Sequence, residues 1–234
     1  MKIKTKKFSN FLKKIQMEDS QKIDDCLFDF SEDGVKVNAN SMPQQSNVVG
    51  LLKPVAFETY EAIGNVGVNN LSTFIRVIER FGDTIELKKQ GNLITIKSGN
   101  KKVDLELINE NAITSTNSKD LKLEHTDEFT ISSNKLLEVF KDVKMNKDCI
   151  LVLKTYENKV SFENTGKYKF TNEVEAEGTK GGVTVSFGQP FLDALSRLEG
   201  DIKIKVRDDF PCLVFEETEE SLIKIIVGPR VGDD

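Results

Sequence analysis

Seven basic side chains are the residues of this sequence whose type and spacing suggest a function. They lie on the polar faces of four segments with helical periodicity, in a chain whose formal net charge is −5. Lysine and arginine side chains repeated on exposed helix faces can attract the phosphates of a nucleic acid without reading its bases. Any surface helix also carries lysines, so the ordinary explanation stays open. The seven residues are Lys13, Lys14, Arg76, Arg80, Lys141, Lys144 and Arg197.

Catalysis is not indicated by any combination of residues. His125 is the only histidine and lies in a polar stretch, and there is no phosphate-binding glycine motif, CxxC pair or HExxH helix. The carboxylates clustered at 216–220 and 233–234 are typical of a solvated surface or tail. The three cysteines lie in apolar, strand-like runs and are expected to be small buried side chains. We therefore expect no enzyme, no catalytic or metal-binding residues and no cofactor.

The composition is typical of a globular protein inside the cell. The 234 residues, of which 38% are hydrophobic and 15 are Phe, can fill one large core or two smaller ones. No run approaches the roughly 18–20 consecutive apolar residues of a membrane span. The basic N-terminus is followed by an amphipathic segment instead of the apolar core of a signal peptide. We expect an intracellular protein with no membrane association.

One order of landmarks occurs twice, at an offset of about half the chain length, which indicates a duplicated domain. Helical periodicity predicts four helices, and alternating apolar residues predict antiparallel strands between and after them. Each half therefore reads as helix, strands, helix, strands, an α+β arrangement. An ordinary two-domain, β-rich protein with four surface helices is the plainer alternative. The predicted helices cover 7–17, 71–81, 133–144 and 190–198; the paired landmarks are SN at 9–10 and 133–134, DC at 25–26 and 148–149, and GD at 82–83 and 200–201.

A polar stretch of low complexity separates the two halves. It contains the run NENAITSTNS at 109–118 and is the best candidate for a linker. The predicted organisation is an N-terminal domain over 1–108, a linker over 109–127 and a C-terminal domain over 128–234.

Several short motifs resemble the DNA sliding clamps of the proliferating cell nuclear antigen family, in the same order and over essentially the whole chain. The ending KIIVGPRVGDD at 224–234 is similar to the last strand and acidic tail of that family, and the T-even phage clamp has a similar length. The resemblance implies two tandem copies of the DNA-clamp fold, with helices on one face of antiparallel sheets. The other motifs are LKKI at 12–15, DGV at 33–35, VGVNNLS at 66–72 and DDFPCLVFE at 208–216.

In that family, like domains assemble head to tail into a ring of three chains that surrounds duplex DNA. The resemblance implies a homotrimer whose helices face the DNA, and a processivity factor that tethers DNA polymerase, docks other replication and repair proteins, is loaded by a clamp-loader ATPase and needs no cofactor. We expect the subunit seam to pair edge strand 102–107 with edge strand 167–170 of the next copy. Its apolar contacts would come from Val103, Leu105, Tyr168 and Phe170.

Partner proteins of relatives insert a short peptide with apolar anchors into a pocket on the outer face. By position, the resemblance suggests a docking set, although packing in the core or at a strand edge is an equally ordinary explanation for some members. A monomeric two-domain scaffold that binds proteins and has no role on DNA is the alternative function. The expected docking residues are Met42, Val48, Leu121, Leu123, Pro211, Ile226 and Pro229.

Overall fold

The computed structural model describes residues 1–42, 44–115, 123–147 and 150–230. The chain forms two units. Unit 1 contains Met1–Met17, Lys22–Lys119 and Glu217–Ile223, and unit 2 contains Glu18–Gln21, Asp120–Glu216 and Lys224–Asp234. No helix among the described residues is long and apolar enough to cross a membrane.

Unit 1 is built from two antiparallel groups of strands and two helices. One sheet has the order β5-β1-β7-β8-β9, and in the other group β4, β3, β2 and β6 lie side by side. The elements are β1 (Lys2–Lys4), α1 (Thr5–Gln16), β2 (Asp25–Ser31), β3 (Gly34–Asn40), β4 (Ser46–Leu52), β5 (Phe57–Thr59), β6 (Gly64–Asn69), α2 (Leu71–Ile78), β7 (Thr84–Gln90), β8 (Leu93–Ser98) and β9 (Lys101–Glu106).

Unit 2 repeats this plan, and its last two strands include residues of the segment Glu217–Ile223 that belongs to unit 1. One sheet has the order β13-β12-β11-β14, and β10, β15, β16 and β17 lie side by side in the other group. The elements are β10 (Asp127–Ser132), α3 (Ser133–Val143), β11 (Leu151–Tyr156), β12 (Lys159–Asn164), β13 (Thr171–Glu175), β14 (Thr184–Phe187), α4 (Gln189–Leu195), β15 (Asp201–Val206), β16 (Cys212–Glu217) and β17 (Ser221–Val227).

The core of unit 1 follows directly from the two sequence periods. Every second residue of β2 is buried, and α1 buries Phe8, Phe11, Leu12 and Ile15 at helical spacing. Gly50 lets α1 approach the sheet, because a Cβ at this position of β4 would lie 2.4 Å from Ile15 Cδ1. The predicted α+β architecture of antiparallel sheets with few helices is confirmed.

The sequence missed the short strand that precedes the first helix of each unit. The three residues of β1 are too few for a visible alternation, and β10 runs into α3 with no break between them. Two helices also end three residues earlier than predicted, α2 at Ile78 and α4 at Leu195. The residues after α2 form a 3-10-type turn, because the N–H groups of Arg80 and Phe81 donate to carbonyls only three residues earlier in the chain.

Candidate nucleic-acid interface

The first helix presents its lysines opposite its buried face. Lys13 and Lys14 lie in the last turn of α1 and are both half-buried. A cation at a helix C-terminus is stabilised by the partial negative charge of the last carbonyls, so the helix itself partly explains these lysines. Lys13 Nζ also forms an ion pair with Glu79 Oε1, across the contact between α1 and α2.

The second helix begins at a sharply defined cap and carries its arginines outward. Asn70 has a left-handed backbone (φ 65°), and its Oδ1 accepts a hydrogen bond of 2.9 Å from Thr73 N. Arg76 is exposed, and its Nη2 donates to Thr73 Oγ1 at 3.0 Å. Arg80 is also exposed but lies in the turn after α2, so the prediction that it is part of the helix is wrong.

The third helix mixes both signs of charge on its exposed side. Lys141 is exposed in its last turn, and Lys144 is exposed as the first residue after the helix. Lys135 Nζ lies 3.3 Å from Glu138 Oε2 on the same helix. The predicted cations are therefore accessible, but they share this surface with carboxylates.

The fourth helix does not have the basic outer face that the sequence predicted. Five of its seven residues are buried. Its acidic residue, Asp193, is buried as well, and its Oδ2 accepts a hydrogen bond of 2.6 Å from Ser20 Oγ. Arg197 lies beyond the helix end and is half-buried, because its guanidinium folds back onto a carboxylate. The predicted basic helix face is thus reduced here to one cation after the helix.

That carboxylate belongs to Glu18 in unit 2. Arg197 Nε donates to Glu18 Oε1 at 2.9 Å, and Ser196 Oγ donates to Glu18 Oε2 at 2.8 Å. Burial raises the pKa of Glu18, but these two hydrogen bonds and the nearby charges of Arg197 and Lys144 outweigh it, so the net pKa is lowered. Glu18 is therefore ionised at neutral pH and neutralises part of the local positive charge.

The structure separates the predicted docking residues into exposed and buried ones. Val48 is wrong as a docking residue: it is 0% exposed in β4 and belongs to the core. Ile226 is also buried, in β17. Met42 is 73% exposed, whereas Leu123, Pro211 and Pro229 are half-buried. Leu121 lies outside the described residues, so its position remains a prediction.

Leu123 borders a cleft of about 260 Å³ within unit 2. Beside it, His125 Nε2 donates to the carbonyl of Pro211 at 2.9 Å, and the His125 ring packs edge-on against Phe210 at 5.9 Å. The sequence missed the polar lining of this cleft, which no local motif signals. The residues that line it include Leu123, His125, Asp127, Lys180, Lys205 and Leu213.

Asp127 anchors one wall of the cleft. It is 6% exposed, and its carboxylate accepts hydrogen bonds from the backbone N–H groups of Lys180 at 3.1 Å and Gly181 at 3.0 Å. Gly181 has φ +85°, and a Cβ there would lie 3.0 Å from the backbone of Tyr156. A loop that needs glycine is therefore held in place by a buried carboxylate.

The predicted seam residues divide between a strand and a turn. Val103 and Leu105 are half-buried on β9, which is an edge strand as predicted. The predicted strand 167–170 is wrong, since these residues form no strand, and the strand that follows them, β13, is an edge of the sheet. Tyr168 and Phe170 lie in the preceding turn because two asparagines there pair with the backbone. Asn146 Nδ2 donates to Tyr168 O at 2.7 Å, and Asn164 Oδ1 accepts from Phe170 N at 2.6 Å.

The two glutamates that pair with predicted cations were also missed. Glu79 follows Arg76 by three residues and reads as an ordinary surface charge, and Glu18 follows the first helix. Their partners Lys13 and Arg197 are distant in sequence, so no local pattern predicts either pair. Within the part of the chain that the structure describes, no group of three or more His, Cys, Asp or Glu could hold a metal ion.

Comparison with solved structures identifies the architecture. The crystal structure of Proliferating Cellular Nuclear Antigen from Entamoeba histolytica is 20% identical and aligns with a TM-score of 0.82, over 98% of each chain. The A. fulgidus PCNA, solved with the C-terminal region of FEN-1 bound, is 13% identical and aligns with a TM-score of 0.85, over 100% of this chain and 98% of that one. The chain has the sliding-clamp fold.

Sequence comparison agrees with the sliding-clamp fold over the same span. Two proteins of Methanococcus maripaludis, from strains S2 and C6, are each described as a DNA polymerase sliding clamp. Each is 26% identical in an alignment of 243 positions that spans 94% of this chain and 95% of the relative. No protein-family model matches the chain. The resemblance to sliding clamps that the short motifs indicated is confirmed along the whole length.

Proposed function

We propose that the chain is a DNA sliding clamp that encircles duplex DNA and tethers DNA polymerase as a processivity factor. The observation that carries this proposal is the match of the whole chain, through both units, to clamps of two organisms at TM-scores of 0.82 and 0.85. The sliding clamps of Methanococcus maripaludis support it from sequence. In this role the protein is not an enzyme, and it works at DNA inside the cell.

The proposed assembly is a homotrimer of head-to-tail copies, each contributing two like domains, the first over 1–108 and the second over 128–234, with a linker over 109–127. Heterologous contacts close into a ring when the rotation between copies permits it. The seam would pair β9 of one copy with β13 of the next, and both are edge strands. Val103 and Leu105 would pack against apolar side chains at or just before β13, including Tyr168 and Phe170. Pairing would satisfy backbone groups that an open edge leaves unpaired.

The proposed DNA contacts are phosphate contacts made by long, mobile cations. These contacts carry no sequence information, and their affinity falls steeply with salt, with a slope near 0.9 per phosphate neutralised. A closed ring tolerates such weakness because it stays on the DNA by topology and exchanges one phosphate for the next as it moves. The proposed contact residues are Lys13, Lys14, Arg76, Arg80, Lys141, Lys144 and Arg197.

The proposed partners are DNA polymerase, an ATP-driven clamp loader and other replication and repair proteins. The C-terminal region of FEN-1 that is bound in one solved relative supports a docking role for this fold. On this chain we propose Met42, Leu123, Pro211 and Pro229 as accessible docking residues, and Leu121 from its position in the sequence. Exchanging Met42 and Leu123 for Glu together should abolish stimulation of a cognate polymerase while leaving assembly intact. Full stimulation by this variant would contradict the docking assignment.

A topological experiment tests the function most directly. The protein is loaded onto nicked circular DNA with a cognate loader and ATP, and the complex is isolated. The DNA is then cut once, and the fraction of protein that stays on it is measured. A ring should slide off the new ends, and bulky blocks at both ends should retain it. A monomeric scaffold would not be isolated with the circle at all, and a groove binder would stay after cutting. Solution mass provides the first check, because a trimer has about three times the chain mass of 26.3 kDa.

A charge variant then tests which residues face the DNA. Lys13, Lys14, Arg76, Arg80, Lys141 and Arg197 are replaced together by Gln. Loading and retention should fall while the solution mass stays that of the wild type. If loading and sliding are unchanged at moderate salt, these side chains do not face the DNA.

A further inference from the structure

Two of the cations proposed to contact DNA are already paired with carboxylates of the same chain. Lys13 Nζ contacts Glu79 Oε1 in unit 1, and Arg197 Nε contacts Glu18 Oε1 at 2.9 Å in unit 2. Lys144 adds a second positive charge near Glu18. The pairs form between helices or across turns that are distant in sequence, so the fold itself brings each carboxylate to its cation.

Both pairs are open enough for an external anion to compete. The side chains of Lys13 and Glu79 are 40% and 38% exposed, and those of Arg197 and Glu18 are 28% and 35% exposed. A pair of this exposure is weakly held, because water and salt screen it. A phosphate oxygen can therefore take the place of the carboxylate without first exposing a buried charge.

The competition has a defined cost and a defined benefit. A lysine paired with a glutamate carries little net charge, so binding a phosphate stabilises it less than it would stabilise an unpaired lysine. The cost is lower affinity and a shallower salt dependence. The benefit is that when the DNA moves, each cation has a carboxylate to return to, which lowers the barrier to leaving a given phosphate.

We propose that Glu79 and Glu18 act as intramolecular competitors of DNA phosphate for Lys13 and Arg197, and so weaken the hold of the clamp on DNA and speed its sliding. The proposal rests on the proposed function, since it concerns the same DNA-facing surface.

The test compares Glu79→Gln, Glu18→Gln and the double variant with the wild type. Affinity for a labelled linear duplex is measured by fluorescence anisotropy over a series of salt concentrations. Releasing each cation from its carboxylate should tighten binding by about 1.4- to 5-fold, the range for an exposed ion pair, and the double variant by about 2- to 25-fold. The log–log salt slope should steepen by up to about 0.9 for each additional phosphate that the variant neutralises.

The matched control removes the same charge from an ion pair on a sheet. Lys154 Nζ lies 2.8 Å from Glu163 Oε2, with side chains 33% and 30% exposed. Glu163→Gln should change duplex affinity less than either test variant. Adding Lys13→Ala to Glu79→Gln should remove the increase in affinity, because the cation that was released is then absent. Thermal unfolding verifies that each variant is folded. Glu79→Gln also tests the proposal in a variant that leaves the hydrogen bond from Ser196 to Glu18 intact.

The results separate this proposal from the proposed function. If Glu79→Gln and Glu18→Gln bind linear duplex no more tightly than Glu163→Gln does, the competition is overturned, even when the wild type slides off cut circles as a clamp should. If the wild type shows no topological retention, the clamp function is overturned, and the duplex affinities still report whether the carboxylates compete. One-dimensional diffusion on stretched DNA should be slower for the double variant; equal diffusion would contradict the proposed effect on sliding.

Discussion

The two units share one plan but differ in how their second helices are used. In unit 1, α2 buries one stripe and exposes Arg76, whereas in unit 2 α4 is almost entirely enclosed and its nearest arginine is paired with Glu18. A duplicated hydrophobic pattern is enough to reproduce the fold, because burial depends on period and volume. The charges outside the core are under no such constraint, so the repeat preserved the framework and not the electrostatics.

One hydrogen-bonded anchor in each unit, Tyr60 in unit 1 and Asp127 in unit 2, also differs in charge. Unit 1 ties the segment after β5 to the β2–β3 hairpin with one neutral hydrogen bond, from the Tyr60 hydroxyl to Ser31 O at 2.7 Å. Unit 2 holds its glycine loop with the ionised carboxylate of Asp127. Hydrogen bonds to charged groups are roughly twice as strong as neutral ones. The hydrogen bonds of Asp127 should therefore contribute more to stability than that of Tyr60.

The largest effect on stability is expected in α4, and it tests whether this helix contributes mainly to the core of unit 2. Phe191 is 0% exposed, stacks on Phe187 with ring centroids 4.3 Å apart and meets Phe140 edge-on at 5.9 Å. Phe191→Ala should lower the free energy of unfolding by about 3–5 kcal/mol, because it leaves a cavity in the aromatic cluster. Urea denaturation measures the loss. Phe74→Ala in α2 is the comparison (Phe74 is 6% exposed), and a greater loss there would contradict the contrast between the helices.

The next effect concerns the carboxylate anchor of unit 2. Asp127→Asn should cost about 1.5–3 kcal/mol of stability at neutral pH, because the backbone N–H groups lose an ionised acceptor. Burial raises the pKa of Asp127, but its hydrogen bonds with Thr155, Lys180, Gly181 and Glu128 outweigh this and lower the net pKa below the ordinary 3.8.

The sign of the pH dependence follows from that lowered pKa. The stabilisation is present above pH 3.8, where the unfolded chain is ionised, and is lost as the pH falls through the lower folded value. The stability difference between wild type and Asp127→Asn should therefore shrink on acidification below about pH 4. Unfolding midpoints of both proteins, measured from pH 7 down to acid pH, give this stability difference. A difference that does not change with pH would show that the charge of Asp127 does not contribute to stability.

A smaller effect is expected from the neutral anchor of unit 1. Tyr60→Phe should cost about 0.5–1.5 kcal/mol, the range for a neutral hydrogen bond. Burial and the nearby charge of Asp29 raise the pKa of Tyr60 to about 12. The wild type should lose stability as the pH rises from 10 towards 12, because the unfolded chain ionises first. Tyr60→Phe should lack the part of that alkaline loss due to Tyr60, and an equal loss in both proteins would exclude this role.

The smallest effect is expected when one arginine from each unit is replaced and the losses of duplex DNA binding are compared. Arg76→Ala should weaken binding to duplex more than Arg197→Ala, since Arg197 is already engaged by Glu18. Arg197→Ala should instead lower thermal stability more, because it leaves a half-buried carboxylate without its main partner. Anisotropy and thermal unfolding of the two variants are compared side by side. Equal DNA losses would indicate that the Glu18 pair does not restrain Arg197.

Much of the fold could be predicted because its signals are local. Alternation in β2 and helical spacing in α1 mark their buried faces. The site was less predictable. The resemblance to sliding clamps suggested Val48 as a docking residue, yet its side chain is enclosed in β4. The turn at 165–170 replaced a predicted strand because the side chains of Asn146 and Asn164 pair with its backbone.

By itself, the sequence determined where the four helices and most of the strands lie, that their order occurs twice, and that the chain resembles sliding clamps. These properties depend on periodicity and on residue types that are neighbours along the chain. Only the tertiary structure decided which cations are paired, since Lys13 meets Glu79 and Arg197 meets Glu18 through contacts that no local pattern encodes. The net charge of the surface proposed to face DNA depends on these distant pairings, because electrostatic attraction depends on distance in space and not on separation in sequence.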